Sequence, residues 1–113
     1  MRDPAERLRD ILQAIENIER YVPRGKSALE DDELLQTWML HNLQTIGEAV
    51  RALPDDVRMQ EPGVPWAKII GIRNILVHGY FAIDTEIVWQ AAERDIPALR
   101  ASIQRLLEGL NSE

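Results

Sequence analysis

Residues 73 to 80 read Arg-Asn-Ile-Leu-Val-His-Gly-Tyr and set three chemically able side chains among apolar neighbours. Arg73 carries a permanent planar cation suited to phosphate, His78 exchanges a proton near neutral pH, and Tyr80 ends in a phenolic hydroxyl. This set suits phosphodiester chemistry, which needs a proton acceptor, a proton donor and a group that holds the extra phosphate charge. Arg73 and Asn74 stand in an apolar helical stretch with no acidic residue nearby. A buried guanidinium without a partner is costly, so its partner is a ligand, a second subunit or a distant carboxylate. Glu48 is the carboxylate the sequence offers for that supporting role. A histidine near a helix C-terminus is otherwise a structural residue, favoured by the negative end of the helix dipole.

The elements that must position these groups are helices. Asp3-Pro4-Ala5-Glu6 is a start signal, with an aspartate cap, proline at the first helical position and glutamate three residues after the cap. Leu8, Ile11, Leu12, Ile15 and Ile18 then keep helical spacing, and Pro23-Arg24-Gly25 ends the segment. After an acidic turn at Glu30-Asp31-Asp32-Glu33, Leu34, Leu35, Trp38, Leu43, Ile46, Val50 and Leu53 define a longer helix that stops at Pro54. Residues 55 to 63 read as a polar turn. Pro65-Trp66 opens a third helix that runs to about Val77, with Gly79 as its stop, and Gly71 marks a close approach to another helix near Gly47. Asp84-Thr85-Glu86 caps a fourth helix, and Asp95-Ile96-Pro97 begins either a fifth or a kinked continuation that stops near Gly109.

Within one helix, Asn74 and His78 share a face, whereas Arg73 and His78 are separated by roughly 140° around the axis. One copy of the motif is therefore a poor catalyst by itself.

The bulk numbers bound the function. A length of 113 residues makes one domain, 1–113, whose modest core favours a homo-oligomer. Cysteine is absent, which excludes disulfides, thiolate metal sites and cysteine nucleophiles. No Glu-x-x-His pair, glycine-rich phosphate loop or serine nucleophile motif is present, so no metal or cofactor is expected. No apolar run approaches the roughly 20 residues of a membrane helix, and the charged N-terminal sequence gives a cytoplasmic expectation. The net charge of −6 opposes non-specific RNA binding, yet from Pro62 to Ile83 there is no acid, and Lys68, Arg73 and His78 fall inside that window. His41 reads as structural or solvent-facing, and Trp38, Trp66 and Trp89 as core or interface rather than as base-stacking platforms.

The chain closely resembles the HepT-like family of the HEPN superfamily, helical-bundle ribonucleases and nucleotide-associated proteins. The resemblance rests on Arg73-x-x-x-x-His78-x-Tyr80, Ile46-Gly47-Glu48-Ala49, Val64-Pro65-Trp66, Ile70-Gly71-Ile72-Arg73-Asn74, Val88-Trp89 and Asp95-Ile96-Pro97, in order along nearly the whole chain. It implies an all-α, compact four- to five-helix bundle that dimerises with its two motifs facing one cleft. It also implies a metal-independent endoribonuclease toxin, with Arg73 and His78 catalytic and Asn74 supporting. The implied partner is an MntA-like nucleotidyltransferase antitoxin that transfers AMP to Tyr80. A non-catalytic nucleotide-binding or scaffolding subunit of such a transferase is the alternative, in which Arg73 binds a nucleotide phosphate and His78 supports the fold.

Overall fold

The computed structural model describes residues 3–77 and 84–111, without the side chains of 73–77 and 111. Helix α1, Pro4–Glu19, starts where the sequence places it: the Asp3 side chain accepts from the Ala5 amide at 3.0 Å. That contact satisfies one of the orphan donors of the first turn. Its buried face is Ala5, Leu8, Ile11, Ala14, Ile15 and Ile18, the i, i+3, i+4 stripe of an amphipathic helix. A short 3₁₀ turn, Val22–Arg24, leads to Gly25 at φ +89°, a conformation that glycine adopts without a Cβ penalty.

Helix α2, Lys26–Asp31, and helix α3, Glu33–Ala52, meet at Asp32, whose carboxylate caps α3 by accepting from the amides of Leu34 and Leu35 at 3.0 and 3.2 Å. The acidic turn expected here is thus the end of one helix and the cap of the next. Leu53 is extended, as the residue before Pro54 must be, and α3 stops there. Helix α4, Asp55–Arg58, replaces the expected polar turn. Both α2 and α4 are too short to leave a periodic pattern in the sequence.

Helix α5, Trp66–Val77, matches the expected third helix. Helix α6, Thr85–Gln90, is capped by Asp84 and passes through a π-helical turn at Ala91–Asp95 into α7, Ile96–Asn111. Of the two sequence alternatives, the distorted continuation is the one formed. Pro97 has no N–H, and its ring would press on the carbonyl one turn back; the helix takes up this defect by widening, with the Ile96 amide reaching the Ala91 carbonyl. Gly109 does not end α7. The helix continues past it because Leu110 packs on the core.

Helix α3 is the centre of the bundle, with α1 and α5 as its main neighbours, and α7 packs on α1. The core joins Leu8, Ile11, Ile15 and Ile18 of α1 to Met39, Ile46 and Val50 of α3, and to Ile96, Leu99 and Ile103 of α7. One polar pair sits among them: Asn17 Nδ2 donates to Asn42 Oδ1 at 3.0 Å, and Asn42 Nδ2 donates to the Trp38 carbonyl at 2.8 Å. Among the described residues there is no strand, and no helix is long and apolar enough to cross a membrane.

Candidate functional site

Helix α5 carries Arg73 and Asn74 on its backbone, and its last described residue, Val77, immediately precedes His78. Among its described residues Ile69 and Ile72 are buried, whereas Ala67 and Lys68 are exposed, so one side of the helix faces the core and another faces solvent. Its start is held tightly. Trp66 Nε1 donates to the carbonyls of Arg58 and Glu61, each at 3.1 Å. Glu61 in turn accepts from Arg105 Nε at 3.1 Å and Nη2 at 2.5 Å, which ties the loop before α5 to α7. The hydrogen bond from Arg105 holds the Glu61 carboxyl below the usual carboxylate range.

Further along, Ile69 and Ile72 enter the core, and Lys68 Nζ lies 3.1 Å from Asp95 Oδ1 on the π turn. The window that is free of acids in sequence is therefore not free of them in space. Asp95 was legible only as part of a start signal; nothing in the sequence paired it with Lys68, 27 positions away.

The direction of α5 follows from its surroundings. It begins beside α4, at the C-terminal end of α3. The chain returns at Asp84 to the end where α3 begins, because Lys26 of α2 pairs with Glu86 of α6. Helix α5 thus runs antiparallel to α3, and its C-terminal half lies toward the first half of α3.

Glu48, the expected supporting carboxylate, is exposed on α3. It lines a groove of about 320 Å³ with Arg7, Asp10, His41, Gln44 and Thr45. His41 is solvent-facing, in agreement with one of its two sequence readings. The expected pairing of Glu48 with Arg73 lies outside the described residues, as do the side chains of Arg73 and Asn74 and all of His78, Gly79 and Tyr80.

Among the described residues no close helix approach occurs at Gly71. A Cβ there would meet nothing within 4 Å among the described residues. Gly71 instead borders a groove of about 340 Å³ between α5 and α6, with Lys68, Ile72, Ile87, Gln90 and Asp95. A helical glycine costs about 1 kcal/mol relative to alanine, and no contact among the described residues accounts for it. Trp66 and Trp89 pack against the core, as expected, while Trp38 is more than one-third exposed. No group of three or more metal-ligating side chains occurs among the described residues.

With this geometry in place, comparisons with known proteins are specific. The family described as Ribonuclease HepT-like matches residues 11–106, a span that contains all of α3 and α5 and the whole motif. A "Probable ribonuclease HepT" of Thermococcus cleftensis is 33% identical over 102 residues, covering 88% of this chain and 91% of the relative. A "Putative RNase" of Caldanaerobacter subterraneus subsp. tengcongensis is 34% identical over 109 residues, covering 96% of this chain and 97% of the relative. A Methanocaldococcus jannaschii protein described as "Gamma-glutamylcyclotransferase and putative RNase" is 34% identical over 108 residues. The match covers 92% of this chain but only 47% of that longer protein. No solved structure matches the chain.

Proposed function

The chain belongs to the ribonuclease HepT-like family, and from that membership we propose that it is a metal-independent endoribonuclease toxin, active as a homodimer. The observation that carries this reading is the unbroken motif Arg73-x-x-x-x-His78-x-Tyr80 inside the matched span, its arginine on a helix whose start is clamped to α4, α7 and the π turn.

In this reading the ribose 2′-oxygen attacks the adjacent phosphorus while His78 accepts its proton. The P–O5′ bond breaks, the leaving 5′-oxygen takes a proton, and a 2′,3′-cyclic phosphate remains. Arg73 holds the non-bridging phosphate oxygens by charge-assisted hydrogen bonds, and Asn74 orients its neighbours. Each chain brings one motif histidine, and a two-fold axis brings the second, so base and acid come from different subunits.

Control is exerted at Tyr80. An MntA-like nucleotidyltransferase directs the Tyr80 phenol oxygen to the α-phosphorus of ATP. A phosphodiester to AMP forms, the α–β anhydride bond breaks, pyrophosphate leaves and the phenolic proton passes to solvent. The adduct adds bulk and negative charge beside the cleft and opposes RNA by occupancy and repulsion.

Cleavage of cellular RNA by the wild type, Arg73→Ala and His78→Ala tests the reading. Both variants are expected to lose at least about 100-fold in rate. Equal activity in all three ends the nuclease assignment, and mass spectrometry that places AMP anywhere but Tyr80 ends the regulatory one.

A further inference from the structure

At the end of the bundle where α2 meets α3, apolar and aromatic side chains reach the surface together. Leu34, in the first turn of α3, is 83% exposed, and Trp38, one turn further, is 37% exposed. The Tyr21 ring stands edge-on to Trp38 with centroids 6.4 Å apart, and the Arg24 guanidinium lies 4.8 Å from the Tyr21 ring centre. Trp38 Nε1 donates to the Asn17 carbonyl at 3.4 Å, which helps hold the indole in place. Tyr21, Arg24, Asp32, Leu34, Leu35 and Trp38 line a notch of about 190 Å³. That is below the roughly 300 Å³ where small-molecule sites begin, and it suits a single anchoring side chain from another protein.

Two further observations identify the occupant. The first is charge. Asp32 lines the notch and its sequence neighbours Glu30, Asp31 and Glu33 are all exposed, so this acidic run repels a phosphate backbone and attracts a cationic segment. An apolar centre rich in Trp, Tyr and Arg, edged by charge, is the composition of a protein-binding hot spot. The second is position. Lys26 of α2 pairs with Glu86 in the first turn of α6, so Asp84 lies at this same end of the bundle. Tyr80 is four residues before Asp84, and four residues of chain span at most about 14 Å.

We propose that the Tyr21–Arg24–Leu34–Trp38 patch is the docking surface for the enzyme that modifies Tyr80, which inserts an apolar side chain flanked by basic residues. This rests on the regulatory reading above and adds where the transferase grips its substrate. The patch residues are distinct from Arg73, His78 and Tyr80, so a grip on them does not use the groups assigned to RNA cleavage. Modification and RNA cleavage therefore depend on different surfaces of the same chain.

The test uses the full-length protein, the cognate nucleotidyltransferase and ATP, with transfer to Tyr80 followed by mass spectrometry and RNA cleavage measured in parallel. Leu34→Glu is expected to raise the KM for the protein substrate by about tenfold with kcat unchanged, the cost of losing one hot-spot contact. Glu30→Gln with Asp31→Asn and Glu33→Gln is expected to raise KM in the same direction and to flatten its salt dependence. RNA cleavage by all of these variants is expected to equal that of the wild type. An unchanged KM in Leu34→Glu overturns the proposal. So does a loss of RNA cleavage with KM intact, which would make the patch a nucleic-acid platform, or dissociation of the homodimer, which would make it a contact between copies. If the wild type itself receives no AMP at Tyr80, the regulatory reading fails first and takes this surface with it.

Discussion

Lys68 Nζ and Asp95 Oδ1 lie 3.1 Å apart and join the helix that carries Arg73 to the one π-helical turn among the described residues. The lysine is 61% exposed and the aspartate 19%, so the pair spans the boundary between surface and interior. A double-mutant cycle with Lys68→Met and Asp95→Asn, read by urea unfolding, is expected to give a coupling of about 0.5–1 kcal/mol that shrinks in high salt. A coupling of zero at low salt would show that the pair does not tie the helices together.

Asn42 is 3% exposed and bridges Asn17 to the Trp38 carbonyl inside the core. Asn42→Ala is expected to cost about 2 kcal/mol, from two lost hydrogen bonds and the stranded Asn17 amide. Asn42→Asp is expected to cost more at pH 7, because it buries a charge, and less as the pH falls and the carboxyl is protonated. Denaturant midpoints at pH 7 and pH 4 check both the order and its pH dependence.

Exposure separates two aliphatic residues that the sequence treats alike. Ile15 is wholly buried between α1, α3 and α7, and Ile15→Ala is expected to destabilise the chain by about 3 kcal/mol. Leu34→Ala, at 83% exposure, is expected to change stability by no more than about 0.5 kcal/mol. Thermal or chemical unfolding of the two variants side by side is sufficient.

Two ion pairs are expected to make the stability of the fold depend on pH. Hydrogen bonding to Arg105 lowers the Glu61 pKa, and hydrogen bonding to Lys26 lowers that of Glu86. A carboxylate depressed in the folded state contributes its stability in full above the unfolded pKa of about 4.3, and loses it as the pH falls through the lower folded value. The Lys26 pKa is raised, first by its hydrogen bond to Glu86, so its contribution is full below about pH 10.4 and lost as the pH rises through the folded value. Glu61→Gln and Glu86→Gln are each expected to flatten the acid side of the stability profile. Lys26→Met is expected to flatten the alkaline side. A wild-type acid slope retained in both Gln variants would show that these pairs do not set the limit.

Much of this protein is written locally. The Asp3, Asp32 and Asp84 caps each act within three residues, and the apolar stripes of α1 and α3 follow from helical period alone. The all-α class, the third helix opening at Pro65-Trp66 and the family motif could therefore be read from the chain. What could not be read depends on contacts distant in sequence. In sequence Lys68 belongs to a cationic window, but folding sets Asp95 beside it; Gly71 reads as a helix crossing, but no described residue comes within 4 Å of a Cβ placed there. The docking patch unites Tyr21 and Trp38 from different elements, a juxtaposition that only the packing of α1 against α3 creates. Local hydrogen bonding and periodicity act over three or four residues and are visible in a sequence. Electrostatic pairing and exposure depend on which surfaces meet, and only the tertiary structure decides that.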